Sequence, residues 1–599
     1  MITWAYFSEV FMGVDVPLDN YKQRVRGAFY RGSRLLNPLS QLMNVPLDQI
    51  NYVLCGLISF ALGQLMRRRF GPGKTTPHRR ALLETFFGII LLSFCFGNQV
   101  RVLLLQSTVA YMMLLFLPQS RLTAALVTIW SMFYMTLVHL CRKQYDYGGY
   151  TLDISGPVMV QTQRLSSLAF NLADGARIRR LRQVKRERED GMQAKTDASP
   201  EDLNSEDPSW PFSAQVSMQA LKSMMTRQLQ SMADARAHCG AELRSYLNRI
   251  RARAPASLRP VIRSYSADRV NEVDELIRIP PNHMTHAVDQ VPGPVSFFAY
   301  TLYFHGACVG PFVFYSEYQE YLKGYGKSEM PPIAWRSLNL LALRTLACGL
   351  LSAYLTPYFP FNFVLDNEFQ TWSVLRRIAY TTFALLLVRQ KYYFAWGLAE
   401  VDGIGAGLGY TGICPKTGEP LYPHVINFDL RQIESGLGLK HVIDAWNIST
   451  TRWLREVFYD RLPRSFRTPL VFIISAFWHG FYPGYYLMFL TFALFTIVSR
   501  MWHRTVRPYC RPNHVCAQAY DLFTMVVTNM AINYAQAPFH LLDWSASLTF
   551  WSAFYFVPHM IAFLLLLIRF VQPRLARSVR ARRLNHFVPI ICHSRSVGG

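Results

Sequence analysis

Apolar residues run along this chain in continuous blocks, with little of the strict alternation that a half-buried strand shows. Ten blocks approach or exceed the length of a membrane span: 50–66, 82–97, 102–118, 122–141, 296–316, 338–359, 374–398, 468–500, 520–540 and 547–571. A helix needs about 20 mainly apolar residues to cross the hydrocarbon core. Lipid-facing β-strands would alternate apolar with polar positions, so a β-barrel is disfavoured. The pattern therefore predicts an all-α, polytopic transmembrane bundle of about ten spans. Two regions interrupt it. The stretch ARIRRLRQVKREREDGMQAKTDASPEDLNSEDPSW, from Ala176, is dense in charge and poor in apolar residues. It buries too little surface to offset its ordering entropy, which predicts a flexible loop over 176–292. Within that loop, 213–254 has helical periodicity with Met and Leu on one side. An amphipathic helix on the membrane surface and a partly formed solvent helix fit it equally. The tail after 571 is again basic. The organisation read from this is an N-terminal segment 1–48, a first bundle 49–175, the loop 176–292, a catalytic core 293–571 and a cytoplasmic tail 572–599.

Composition agrees with the pattern. Of 599 residues, 51% are hydrophobic and 17% charged, against about 25% charged in ordinary soluble domains. The net charge of +24 fits basic loops at an anionic cytoplasmic leaflet. Nucleic-acid binding, the other reading of such charge, is excluded by the apolar character of the chain. MRRRFGPGKTTPHRR (66–80) and RFVQPRLARSVRARRLNHF (569–587) read as cytoplasmic, although Lys22, Arg24, Arg26, Arg31 and Arg34 before the first span compete with the former. The opening residues lack a basic region followed by an uninterrupted apolar run, so the first span is expected to serve as the targeting signal.

The ten cysteines form no CxxC pair. Cys55, Cys95 and Cys348 sit in apolar blocks, where a thiol acts as a small hydrophobe. His503, Cys510, His514 and Cys516 share one loop, but their spacing matches no standard zinc site, so no metal is expected. Nucleotide loops, HExxH and the Gly-x-Ser-x-Gly elbow are missing, which removes the usual support for kinase, redox and serine-hydrolase chemistry. Three polar features remain inside apolar surroundings. KYYFAWGLAEVDGIGAGLGYTG (391–412) carries Glu400, DAWNISTTRWLREVFYDRLP (444–463) carries Asn447, and FIISAFWHGFYPGYY (472–486) carries His479. An ionisable group in a membrane segment is either satisfied or functional. Asn447-Ile448-Ser449 is also a glycosylation sequon, but its place between Trp446 and an amphipathic run favours a buried or interfacial amide. Gly480, Pro483 and Gly484 either leave room for a substrate chain or kink a helix.

WNISTTRWLREVFYDRLP followed by FIISAFWHGFYPGYYLMFLT resembles the signature of the membrane-bound O-acyltransferase family, and within it the lysophospholipid acyltransferase branch. NPLSQLMNVPLDQINYVLC (37–55), YTLDISGPVMVQTQRLSSLAFNLADG (150–175), VGPFVFYSEYQEYLKG (309–324) and KYYFAWGLAE (391–400) resemble that branch in the same order. The resemblance spans most of the chain apart from about 176–292. It implies an all-helical fold of about eleven spans enclosing a catalytic chamber, in the endoplasmic reticulum membrane. It also implies His479 as catalytic base with Asn447 as its partner, and acyl-CoA as co-substrate with no separate cofactor. The implied acceptor is a lysophospholipid, lysophosphatidylethanolamine or lysophosphatidylserine, reached from the bilayer. Relatives often carry paired asparagines shortly after the LAE step, where this chain has VDGIGAG; that leaves Asp402 without an assigned role. Acyl transfer to a protein, sterol or diacylglycerol is the alternative on the same fold. A transporter or channel with His479 as a proton relay is the alternative of another class, although no internal repeat supports it. Oligomeric state is not legible in one sequence.

Overall fold

A computed structural model describes residues 29–149, 151–197 and 279–569. Among the described residues, helices make up the architecture, and the strands are confined to one antiparallel ribbon, Gly412–Ile413 against Pro420–Leu421. The all-α class is as expected. Six helices are long and apolar enough to cross a membrane: Leu47–Arg69, Pro77–Phe116, Arg121–Tyr145, Trp335–Leu365, Pro483–Cys510 and His514–Leu541. A seventh span is possible if Trp544–Ser552 and Val557–Arg569, bent by 82° at their break, are one crossing. The chain is thus a multi-pass membrane protein.

The difference from ten has local causes. Blocks 82–97 and 102–118 join into one candidate span, Pro77–Phe116, through a single 3₁₀ turn, Gly97–Gln99. Block 296–316 is helical over Pro294–Leu302, after which Tyr303 turns extended and the chain continues irregularly past Gly306 and Gly310 until the Tyr315–Leu322 helix. Block 468–500 is two helices, Arg467–His479 and Pro483–Cys510. Block 374–398 is one helix, Val374–Ala406, but it buries Arg377, Arg389, Glu400 and Asp402 instead of presenting an apolar cylinder. The expected surface helix at 213–254 and the tail 572–599 lie outside the described residues.

Two compact units divide the chain, one of Met1–Phe116, Ala125–Ser167 and Pro292–Gly599, the other of Leu117–Ala124 and Leu168–Val291. In the second, His283 Nδ1 lies 3.3 Å from Asp174 Oδ2, and the Val288 amide donates to the Asn171 carbonyl at 3.0 Å. In the first, the Val374–Ala406 helix is central. It packs along Trp335–Leu355 on one face and Leu47–Arg69 on another. Its buried Arg389 is satisfied by a bidentate pair with Glu434, at 2.9 and 2.7 Å, and by Asn533 at 2.8 Å. A guanidinium so placed loses less by burial, because each of its three nitrogens meets an acceptor. Above it, Tyr393, Trp396, Phe428 and Trp446 interlock, with centroid separations of 5.0–6.2 Å.

Candidate active site

His479 is the last residue of the Arg467–His479 helix. Gly480 terminates it at φ +125°, a conformation open to glycine at little cost, while its N–H caps the carbonyls of Ala476 and Phe477. Pro483 then occupies the first turn of the next helix, where a missing N–H costs nothing. Gly484 lets that helix meet its neighbour: its N–H donates to the Leu542 carbonyl at 2.7 Å, and a Cβ there would overlap the Pro538 carbonyl oxygen. Pro483 and Gly484 therefore serve the break and the packing, and Gly480 both ends a helix and borders a chamber.

The break is held from the side by the Arg121–Tyr145 helix. His139 Nε2 donates to the Trp478 carbonyl at 3.1 Å, and Lys143 Nζ to the Phe481 carbonyl at 3.4 Å. The Trp478 indole N–H donates to the Met159 carbonyl at 3.1 Å. The His479 ring itself is packed by rings: Phe489 lies against its face, with centroids 5.3 Å apart, and Phe539 meets it edge-on at 5.1 Å.

Asn447 has φ +48° and ψ +58°, a left-handed conformation that asparagine tolerates better than most residues. A chain of buried hydrogen bonds imposes that turn. Glu400 Oε1 accepts from the Asn427 amide at 2.7 Å and the Phe428 amide at 3.3 Å. Asn427 in turn accepts from Ile448 N at its carbonyl, 2.7 Å, and from Ser449 N and Oγ at its side chain, 3.1 and 2.7 Å. The Ile448–Leu454 helix that follows is pinned by Trp453, fully buried, whose indole donates to Ser166 Oγ at 2.8 Å. The sequon's Ser449 is 2% exposed with its hydroxyl spent inside the fold, so Asn447 is a chamber residue in the folded chain.

His479 and Asn447 line one chamber of about 380 Å³. Its walls are mostly apolar, with Phe472, Met488, Phe492 and Ile532, and Lys440, Arg455 and Arg500 also border it. A second chamber of about 220 Å³ has His139, Arg142, Lys143 and Ser155 on its lining together with His479. Tyr392, His479, Phe539 and His540 border both and so form their common wall. Sequence reasoning missed His139 and His540, although each carries the signal that marked His479, an imidazole within an apolar helix. Glu400 was noticed; the structure uses it to brace Asn427 and hence the Asn447 turn. Asp402 lies in neither chamber. Among the described residues, no group of three or more His, Cys, Asp or Glu side chains is arranged to hold a metal ion.

The chain is 28% identical to membrane-bound glycerophospholipid O-acyltransferase 2 of Gallus gallus over 562 residues, covering 90% of this chain and 88% of that one. It is 28% identical to membrane-bound glycerophospholipid O-acyltransferase 1 of Homo sapiens over 557 residues, covering 92% and 95%. With lysophospholipid acyltransferase 6 of Drosophila melanogaster it shares 26% over 574 residues, 93% of this chain and 66% of that one. The profile of the membrane-bound O-acyltransferase family matches residues 216–536. That interval contains Asn447, the broken helix at His479 and most of the larger chamber, and on it the chain belongs to the membrane-bound O-acyltransferase family.

Proposed function

We propose that this protein transfers a fatty acyl group from acyl-CoA to the free glycerol hydroxyl of a lysophospholipid, as in phospholipid remodelling, in the endoplasmic reticulum membrane. The observation that carries the reading is the placement of His479 and Asn447 on one apolar chamber inside a membrane bundle. A glycerol hydroxyl is a weak nucleophile until a base takes its proton, and imidazole is the commonest such base. His479 accepts that proton as the hydroxyl oxygen attacks the thioester carbonyl. The Asn447 amide donates a hydrogen bond to the oxyanion or orients the acceptor. The C–S bond then breaks, and the thiolate leaves with its proton returned from the imidazolium. Apolar walls keep both acyl chains out of water and keep water from the thioester. Lys440, Arg455 and Arg500 suit the phosphates of the CoA moiety. The reaction calls for no resident cofactor, since acyl-CoA is a co-substrate. The names of the relatives, lysophospholipid and glycerophospholipid acyltransferases, support the acceptor class.

The test is turnover of labelled acyl-CoA by the purified chain in nanodiscs against a panel of lysophospholipids, sterol and diacylglycerol. Headgroup-dependent product, lost in His479→Ala, is expected. Unchanged turnover in a folded His479→Ala protein sinks the mechanism, and product only with sterol or diacylglycerol sinks the acceptor class.

A further inference from the structure

The second chamber has chemistry of its own. Arg142 and Lys143 both line it, and no carboxylate is among its lining residues. Arg142 is already engaged. It pairs with Asp153, lies 3.7 Å from Asp146, and donates to Ser155 Oγ at 2.9 Å and to the Gly149 and Thr151 carbonyls at 3.1 and 2.9 Å. Its work is to hold the turn after Tyr145 in place. Lys143, the next residue, differs. An ammonium has three N–H donors, and the bond it gives to protein, to Phe481 O, is a long 3.4 Å. Its other close contact is the Tyr482 ring, 5.9 Å from the ammonium to the centroid. Phe481 is two residues beyond His479, so this cation stands beside the proposed base. Lys143 is half-exposed in the last turn of the Arg121–Tyr145 helix, where its ammonium can turn toward the chamber it lines.

We infer that the chamber bordered by Lys143 and His479 is the subsite for the phosphate diester of the acyl acceptor, with Lys143 as its principal ligand. The inference rests on the proposed lysophospholipid reaction. Only a methylene and an ester oxygen separate the sn-2 carbon of a lysophospholipid from phosphorus. An acceptor hydroxyl at His479 therefore carries its phosphate close by, within reach of a neighbouring lysine. The phosphates of acyl-CoA, the other source of this chemistry, sit at the far end of the pantetheine arm from the thioester. They suit the basic residues of the larger chamber. A phosphate here would orient the glycerol as well as bind it, which makes Lys143 a determinant of specificity for phosphate-bearing acceptors over neutral ones.

The experiment compares wild type, Lys143→Gln and Lys143→Arg in the full-length purified chain. A charge-assisted hydrogen bond to phosphate is worth about a tenfold change in affinity. The expected result is a rise of about that size in the KM for lysophospholipid in Lys143→Gln, with most of it recovered in Lys143→Arg, and an acyl-CoA KM within about twofold of wild type. A rise in acyl-CoA KM instead assigns the phosphate to CoA and overturns the inference. So does an equal loss with lysophospholipid and monoacylglycerol, which marks a packing role, and so does no change. Native mass spectrometry of bound lysophospholipid gives a readout independent of turnover. If wild type acylates no lysophospholipid, the proposed reaction fails. Retained binding that Lys143→Gln weakens still supports the subsite, and binding that it leaves unchanged overturns it.

Discussion

Two histidines set in apolar stretches of this chain do opposite things. His305 is almost fully buried and satisfied on both ring nitrogens: Nδ1 lies 3.0 Å from Asp402 Oδ1, and Nε2 lies 3.2 Å from the Tyr321 hydroxyl and 3.4 Å from Glu84 Oε1. Its partners are bonded to other groups in turn. Ser59 Oγ and the Gly306 amide donate to Asp402 at 2.5 and 2.9 Å, and Tyr321 donates to Glu84 at 2.9 Å. His479 is packed by aromatic rings and opens on two chambers. Both sit in apolar stretches of sequence. What separates them is the set of acceptors the fold brings to the ring. A histidine saturated by carboxylates ties helices together, whereas one held by ring faces at a chamber wall keeps its nitrogens for a substrate.

The sharpest way to break this comparison is to delete each ring in turn. On the proposed mechanism, His479→Ala lowers kcat by about 10²–10⁴-fold, the range for loss of a general base, with the thermal midpoint little changed. A similar fall in kcat from His305→Ala, per folded molecule, would erase the distinction. The expected effect of His305→Ala is on stability instead, about 3–5 kcal/mol, because Asp402 and Glu84 are left buried without the imidazole that pairs with them. Thermal unfolding in detergent reads that loss, and specific activity of the surviving protein should stay near wild type.

Asn447→Ala comes next. Removing a donor to a developing oxyanion costs about 10²–10³-fold in kcat. A change confined to KM would move Asn447 from the reacting carbonyl to substrate positioning. The smallest effect is expected from Ser449→Ala, which removes one buried hydrogen bond to Asn427 and costs about 1 kcal/mol of stability. It also deletes the sequon; an unchanged intact mass across this substitution supports Asn447 as an unmodified chamber residue, and a lost glycan mass overturns it.

The candidate pair was legible in the sequence because an imidazole and an amide within apolar runs sit in motifs that resemble a family signature; His139 and His540 carry the same local signal without such a motif. The spans were legible where an apolar block is also an uninterrupted helix, as at Leu47–Arg69 and Arg121–Tyr145. The apolar blocks outnumber the described helices long and apolar enough to cross a membrane where a block hides a break. Hydropathy cannot see that Gly480 ends one helix and Pro483 starts another, since both halves are equally apolar. The role of Gly484 also escaped, because it depends on a backbone from another helix passing within contact distance.

The sequence by itself determined the membrane class and the all-helical architecture, and the resemblance of its motifs to a family signature singled out the two residues on which the proposed chemistry rests. Class and architecture follow from local quantities: the length of an apolar run and the period of its side chains. Only the tertiary structure decided which histidine faces a chamber, that Glu400 braces the Asn447 turn through Asn427, and that Lys143 stands beside the base. Those relations join residues 27 to more than 300 positions apart, and a satisfied partner supplied by a distant helix leaves no mark on the local pattern.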